Sequence, residues 1–133
     1  MKPRAYIYGP MTGYPEHNFP AFDKAKVYLE SLGYDVISPA DLDRQFGITG
    51  NEANGTIPKR LIQEVMLIEL REILSCNVIV GIKGWEQSKG SACEKTWSVN
   101  WKIPDIPIED AAEWIARWTQ SNVPPQTPAT TPA

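Results

Sequence analysis

The segment Val78–Ile82 constrains the fold more than any other part of the chain, because it is the most apolar strand-like stretch in the sequence. A long helical segment, Lys59–Ser75, comes directly before it. A strand without polar positions is buried on both faces, which is typical of the centre of a parallel sheet. The sequence therefore predicts a parallel sheet that helices cover on both sides.

Strands and helices alternate along the rest of the chain. Further strands are predicted at Ala5–Tyr8, at Tyr34–Ile37 and, as a proline-interrupted edge strand, at Ile103–Ile108. Asn18 is expected to cap a first helix that stops at Gly33, and later helices are expected over 92–102 and 109–118. This order indicates an α/β fold: a flavodoxin-like or Rossmann-like three-layer sandwich with a mostly parallel sheet of four to five strands.

The 133-residue chain is expected to form one domain, residues 1–118, followed by a disordered tail, residues 119–133, that is rich in Pro and Thr. Residues 41–58 contain three Gly, two Asn and one Pro. They are expected to form a long loop, which is either a lid over a substrate or a mobile excursion without a function.

Composition excludes several classes of function. The net charge is −3 without any block of like charge, so binding to duplex DNA is not expected. No signal peptide and no apolar stretch long enough for a membrane span are found, and a cytoplasmic location is expected, the host cytoplasm if the chain is phage-encoded. Cys76 and Cys93 are interpreted as buried free thiols, with a disulfide or a metal as the alternatives. With a single His and no Cys cluster, no metal site and no cofactor are predicted.

Glu69 is the most unusual residue of the helix Lys59–Ser75. At 100° per residue it lies at the centre of an apolar face, with Val65 and Ile73 on the same face together with Ile62 and Met66. A desolvated carboxylate there would have a raised pKa and would suit a proton donor near neutral pH. The alternatives are a glutamate that reaches solvent at a helix end, or a structural acid in a salt bridge.

The segment Ser88–Glu94 joins the buried strand to the next helix. Ser88, Lys89, Gly90 and Ser91 offer hydroxyls, a positive charge and a close backbone approach at a helix start, where free N–H groups attract a phosphate or a carboxylate. Glu94 follows one turn into the helix, where the helix dipole is expected to keep it ionised, as a nucleophile requires. Its alternative role is simply to stabilise that dipole.

Three polar residues outside these helices are expected to have no part in the chemistry. His17 is interpreted as an exposed loop residue, with a substrate contact as the alternative. Asp41 and Asp43 follow the second strand and are interpreted as helix or turn caps.

The chain resembles the nucleoside 2-deoxyribosyltransferase superfamily over roughly residues 5–107. The resemblance is carried by Tyr6-Ile-Tyr-Gly-Pro-Met-Thr-Gly13, by Asn18-Phe-Pro-Ala-Phe22, by Gly33-Tyr-Asp-Val-Ile-Ser-Pro-Ala-Asp41 and by Gly84-Trp-Glu-Gln-Ser-Lys-Gly-Ser-Ala-Cys-Glu94. The chain is most similar to the small branch of this superfamily that is common in phages and prophages, and it is similar to the deoxynucleoside 5′-monophosphate N-glycosidases.

The resemblance implies a flavodoxin-like architecture and cleavage or transfer of the N-glycosidic bond of deoxynucleosides or their 5′-monophosphates, without a cofactor. It implies that Glu94 is the nucleophile, that Ser88 and Gly90 contact a phosphate, and that Glu69 takes the place of a catalytic aspartate, one methylene longer. Asn77 stands where an aspartate often opens the third strand. Tyr6 and Gly9 match positions near the sugar and base, and Tyr8, Pro10 and Met11 are expected beside the base.

Two further expectations concern partners. Relatives in this branch are often homo-oligomers, so the chain is expected to be one too. The competing interpretation of the pocket is a non-catalytic protein that sequesters a nucleotide or a nucleotide-derived signal.

Overall fold

The structure is a computed structural model that describes residues 1–53 and 55–122, apart from the side chains of residues 89 and 90. Four strands and five α-helices follow one another along the chain: β1 (Arg4–Tyr8), α1 (Phe19–Leu32), β2 (Asp35–Ile37), α2 (Pro39–Gln45), α3 (Lys59–Leu74), β3 (Val78–Gly81), α4 (Lys89–Asn100), β4 (Asp105–Pro107) and α5 (Ala111–Ser121). Short 3-10 turns lie at Pro15–Asn18, Trp85–Gln87 and Ile108–Asp110.

The sheet is parallel throughout and has the strand order β2-β1-β3-β4. The predicted three-layer α/β sandwich with a central strand Val78–Gly81 is therefore confirmed. The order reverses between β1 and β3, and in such sheets ligands bind beyond the carboxyl ends of the strands at this reversal.

Each face of the sheet has its own apolar core. On one face, Ile7, Val78 and Val80 pack with residues of α1 and α5, including Phe22, Leu29 and Ile115. On the other face, Tyr6, Tyr8 and Ile79 pack with residues of α2, α3 and α4, including Leu42, Ile73 and Trp97. Because Tyr6 and Tyr8 alternate with Ile7 along β1, both tyrosines face the helices α2, α3 and α4.

Two predicted segments differ from the structure. Residues 39–45, expected to be part of a turn and a long loop, form the helix α2, which ion pairs hold against α1: Lys26 to Asp41 at 2.7 Å and Arg44 to Asp23 at 2.7 Å. The predicted tail begins too early, because α5 continues to Ser121. Residues 123–133, the remainder of the predicted disordered tail, lie outside the described residues.

Asn18 occupies the predicted cap position of α1 but does not cap the helix with its side chain. Its backbone is left-handed, and its Nδ2 donates a hydrogen bond to the Pro10 carbonyl at 2.9 Å instead. Asn18 thus ties the start of α1 to the loop after β1.

Candidate active site

A cavity of about 230 Å³ opens at the carboxyl ends of β1 and β3. Its walls come from the loop after β1, from the turn before α1, from α2 and the segment that follows it, and from α3 and α4. Of the predicted site residues, the cavity is lined by Gly9, Met11, Glu69, Ser88 and Glu94. The prediction that Glu69 and Glu94 meet at one cavity is therefore confirmed.

Three carboxyl groups line this cavity, one from each helix on this face of the sheet. Asp43 comes from α2, Glu69 from α3 and Glu94 from α4. Because α3 packs between α2 and α4, the three acids form a row across the cavity with Glu69 in the middle.

Glu94 lies deepest in this row. It is 7% exposed, and its Oε2 atom has no hydrogen-bond partner among the described residues. The hydroxyl of Tyr6, on the strand below, faces the same carboxyl and is likewise buried without a partner of standard geometry. Burial and then the charge of Glu69 raise the pKa of Glu94 well above its usual range, and the Tyr6 hydroxyl opposes this shift. This shift opposes the predicted effect of the helix dipole, which favours the ionised form of Glu94.

Glu69 has the environment that its position on the helical wheel predicted. Burial, followed by the charge of Asp43, raises its pKa to about 8. Val65 and Ile73 are buried beside it, whereas Ile62 and Met66 are 43% and 38% exposed. Glu69 therefore carries a proton at neutral pH, as a general acid requires.

Asp43 is a cavity-lining residue that the sequence did not reveal. The interpretation of Asp43 as a cap is wrong: the residue lies in the last turn of α2, and its side chain lines the cavity. Burial, followed by the charge of Glu52, raises its pKa to about 7. Asp41 is not a cap either, since it pairs with Lys26 and Arg44 on the outside. Nothing in the sequence distinguished Asp43 from Asp41, because the ion pairs of Asp41 are visible only in the structure.

His17 also lines the cavity, so its interpretation as an exposed loop residue is wrong. Three consecutive residues, Glu16, His17 and Asn18, have φ values between 51° and 60°, a left-handed conformation that is costly outside glycine. Gly50 permits this turn, because a side chain at position 50 would meet the Glu16 carbonyl oxygen at 2.8 Å. The turn thus places the only His of the chain on the wall of this cavity.

The start of α4 lies at one end of the cavity. Ser88 is the N-cap residue, and its hydroxyl accepts a hydrogen bond of 3.3 Å from the Ser91 N–H. Ser91 is fully buried and does not line the cavity, so its predicted hydroxyl contact with a ligand is not supported. The side chains of Lys89 and Gly90 lie outside the described part of the structure.

Tyr8 and Pro10, both predicted to lie beside a base, do not line the cavity. The Tyr8 hydroxyl donates a hydrogen bond to Asp105, and its ring meets the edge of Trp85 at 5.7 Å between centroids. Lys95 completes this cluster, 4.0 Å above the Trp85 ring and 3.5 Å from Asp105. Tyr8 therefore fixes α4 to the sheet, and Pro10 is buried against Gly84.

A larger groove of about 1040 Å³ lies on the opposite face, between α1 and the loop after β3. Tyr14, Tyr28 and Lys83 contribute to its walls. Its acids are Glu86 and Glu109, both exposed. Because the described carboxyls with raised pKa values all line the smaller cavity, we take the smaller cavity as the candidate site.

Cys76 is buried and Cys93 is exposed on the cavity wall, and both are free thiols, so only Cys76 matches the prediction. Within residues 1–53 and 55–122, no group of three His, Cys, Asp or Glu side chains is placed to hold a metal ion. In the same ranges, no helix combines the length and apolar character that crossing a membrane requires.

The architecture matches a known class of proteins. A solved 2-deoxyribosyltransferase from Bacillus psychrosaccharolyticus superposes with a TM-score of 0.58 and 20% sequence identity, over 78% of this chain and 70% of that chain. The fold is therefore that of the nucleoside 2-deoxyribosyltransferases, as the resemblance in the sequence predicted. The chain belongs to the DUF4406 family, described as a domain of unknown function, whose family model matches residues 3–104. A search of the curated proteins gives no match.

Proposed function

We propose that the cavity binds a deoxynucleoside or its 5′-monophosphate and that Glu94 cleaves the N-glycosidic bond as a nucleophile. The observation that carries this proposal is the Glu94 carboxyl, which is buried, without a described partner at Oε2, and beside the proton-bearing Glu69 in one cavity. The solved Bacillus protein with this fold is a 2-deoxyribosyltransferase, and its activity supports the same bond as the target.

The chemistry requires two carboxyls in different protonation states, with Glu94 ionised and Glu69 protonated. The Glu94 carboxylate attacks C1′ of the deoxyribose, the C1′–N bond breaks, and its electron pair leaves with the base. Glu69 gives its proton to the departing base, and a glycosyl ester remains on Glu94. Water, or a second base, then attacks C1′, the ester bond to Glu94 breaks, and the Glu94 carboxylate is restored. The attacking group gives its proton to Glu69.

The row of acids also favours the transition state. Positive charge develops on the sugar ring as the glycosidic bond breaks. The pKa values of Asp43, Glu69 and Glu94 are all raised, first because burial disfavours negative charge and then because each group has a neighbouring carboxylate: Glu52 for Asp43, Asp43 for Glu69 and Glu69 for Glu94. A positive charge at C1′ removes that penalty, so the cavity stabilises the transition state more than the neutral substrate.

Phosphate binding is assigned to the start of α4. Ser88 lines the cavity at this helix N-terminus, where the backbone N–H groups and the helix dipole attract an anion. We propose that Ser88, with Lys89 and Gly90, holds the 5′-phosphate of a monophosphate substrate. This contact lies away from the bond that breaks, so it contributes binding energy for positioning.

The predicted homo-oligomer stays a prediction. It is supported by apolar side chains that are exposed near the cavity, where Ile62 and Met66 form part of the wall and Leu67 is 68% exposed. A second copy packed on this part of α3 would cover them.

The direct test is to measure, by chromatography, the release of free base from a panel of deoxynucleosides and their 5′-monophosphates. Glu94→Gln keeps the shape and removes the nucleophile, so we expect its rate to fall by at least about a thousandfold. Glu64→Gln is the matched control, because Glu64 is an exposed acid of α3 that pairs with Arg60 and does not line the cavity. Equal rates in Glu94→Gln and the parent contradict the proposal, and a ligand that is bound but recovered intact from the parent indicates a sequestering protein.

A further inference from the structure

We infer that Cys93 is a modification site whose thiol forms a mixed disulfide with a low-molecular-weight disulfide, and that this modification closes the cavity to its substrate. Cys93 is a free cysteine that is exposed on the wall of the smaller cavity. The modification itself does not depend on the reaction proposed above. Its consequence for nucleotide binding rests on the proposed function, since it takes this cavity as the nucleotide site.

The cavity beside this thiol is suited to receive a ligand. Glu94, the next residue of α4, is 7% exposed, lines the same cavity and leaves its Oε2 atom without a hydrogen-bond partner among the described residues. A buried polar atom of this kind is satisfied by a group that enters from outside. The exposed Cys93 thiol lies nearer to solvent than this carboxyl, so a group attached to Cys93 occupies space through which a substrate reaches Glu94.

The two cysteines of the chain differ in their access to a reagent. Cys76 is 8% exposed and packs in the core with Tyr6 and Ile79, and burial raises the pKa of its thiol to about 12. A cysteine reacts as its thiolate and only where the reagent can reach it, so Cys76 is inert near neutral pH. Cys93 is exposed, so we expect the modification to be selective for Cys93, with Cys76 as the internal reference.

The chemical step is an exchange between a thiol and a disulfide. The Cys93 thiol loses its proton to solvent, and the thiolate attacks one sulfur of the S–S bond of the reagent. That bond breaks, a new S–S bond joins Cys93 to one half of the reagent, and the other half leaves as a thiolate that takes up a proton. The reagent itself is the oxidant, and an excess of free thiol reverses the step.

The size of the attached group should decide how strongly the cavity is blocked. The cavity has a volume of about 230 Å³, so a group on Cys93 takes up space that a nucleotide needs. A ligand in a pocket buries most of its surface there, so two occupants exclude each other. A glutathionyl group is a whole tripeptide and should block the cavity more completely than a hydroxyethylthio group.

The test treats the full-length Glu94→Gln protein, which leaves a bound nucleotide intact, with hydroxyethyl disulfide or with oxidised glutathione. Mass spectrometry of the intact protein and of its peptides should show one adduct per chain, on Cys93, formed at least about 100-fold faster than on Cys76. Isothermal titration calorimetry then measures the affinity for deoxynucleoside 5′-monophosphates. We expect a loss of about tenfold or more with the glutathionyl group, a smaller loss with the hydroxyethylthio group, and recovery after treatment with dithiothreitol.

Cys93→Ser, introduced into the same protein, is the matched control because it keeps the size of the side chain and removes the thiol. It should gain no adduct at position 93, and neither reagent should change its nucleotide affinity. Cys93→Ala takes its place if a thermal melt shows that the serine variant is not folded. Modification of Cys76 as fast as of Cys93, absence of an adduct on Cys93, or an adduct that leaves the affinity unchanged overturns the inference.

The outcomes separate this inference from the proposed function. An adduct confined to Cys93, together with no nucleotide binding by the unmodified protein, rejects the proposed function and keeps the modification site. Base release by the parent protein that continues at the same rate after complete modification of Cys93 keeps the proposed reaction and rejects the closure of the cavity. Absence of both the adduct and nucleotide binding rejects both.

Discussion

At the scale of single residues, the site depends on which carboxyl holds a proton. Glu69 has a pKa raised to about 8, so its proton is present at pH 7 and is lost as the pH rises through 8. Glu94 has its pKa raised by burial and by the charge of Glu69, so it ionises only above the usual range of a glutamate. A reaction that needs Glu94 ionised and Glu69 protonated therefore has a narrow pH optimum with two limbs.

Glu69→Gln should abolish the alkaline limb of this profile. The glutamine cannot donate a proton, so we expect the rate at the optimum to fall by about 10²- to 10⁴-fold and the alkaline limb to disappear. Below pH 8 the parent's Glu69 is protonated and uncharged, so the acid limb should stay nearly in place. The measurement is the rate of base release between pH 5 and pH 10, with Glu64→Gln as the control. An alkaline limb that persists unchanged in Glu69→Gln would show that another group is the acid.

At the scale of elements, the turn before α1 and the segment after α2 hold each other in place. Glu16, His17 and Asn18 are left-handed, and the Glu16 carbonyl oxygen lies where a side chain at position 50 would be. Phe19, which follows the turn, packs against Gly50 and lies beneath the Arg44 guanidinium at 4.8 Å. The position of His17 in the cavity thus depends on a glycine far along the chain.

Gly50→Ala should displace this turn. Its φ is 92°, and the added Cβ would lie 2.8 Å from backbone and 3.1 Å from the Phe19 ring. We expect the free energy of unfolding to fall by roughly 2 to 4 kcal/mol, because both the conformation and the contact are unfavourable, and nucleotide affinity to fall with it. Gly47→Ala is the matched control: its φ is 82°, but nothing lies within 4 Å of the added Cβ. Urea unfolding gives the comparison, and equal losses in the two variants would contradict the contact between the turn and Gly50.

At the scale of the whole molecule, the sequence predicted the sheet and its order of elements because local patterns set them. Val78–Gly81 is apolar on both faces, and α3 has a clear helical period, so both were found. The short helix α2 was missed because ion pairs with α1, such as Lys26 to Asp41, stabilise it, and such pairs join residues distant in sequence. Helix α5 continues past Trp118 to Ser121, although these last residues are exposed, and at its end the Asn122 side chain donates a hydrogen bond of 2.8 Å to the Trp118 carbonyl.

The site was predicted in part. Glu94, Glu69 and Ser88 were found because they lie on regular elements whose carboxyl or amino ends meet at one edge of a parallel sheet. Asp43 and His17 were missed, since their directions depend on α2 and on a left-handed turn that no local pattern indicates. Tyr8 was wrongly expected to lie on the cavity wall. The alternation of residues along β1 predicts on which face of the sheet Tyr8 lies, but not which residues pack against it there.

The central claim is that Glu94 forms a covalent bond to C1′ of a deoxyribose. Peptide mass spectrometry of protein that is mixed with a deoxynucleoside 5′-monophosphate and quenched in acid tests it most directly. We predict that the peptide containing Glu94 gains the mass of one deoxyribosyl phosphate group and that Glu94→Gln gains none. Steady release of free base without any adduct, at the same rate in the parent and in Glu94→Gln, would contradict the claim.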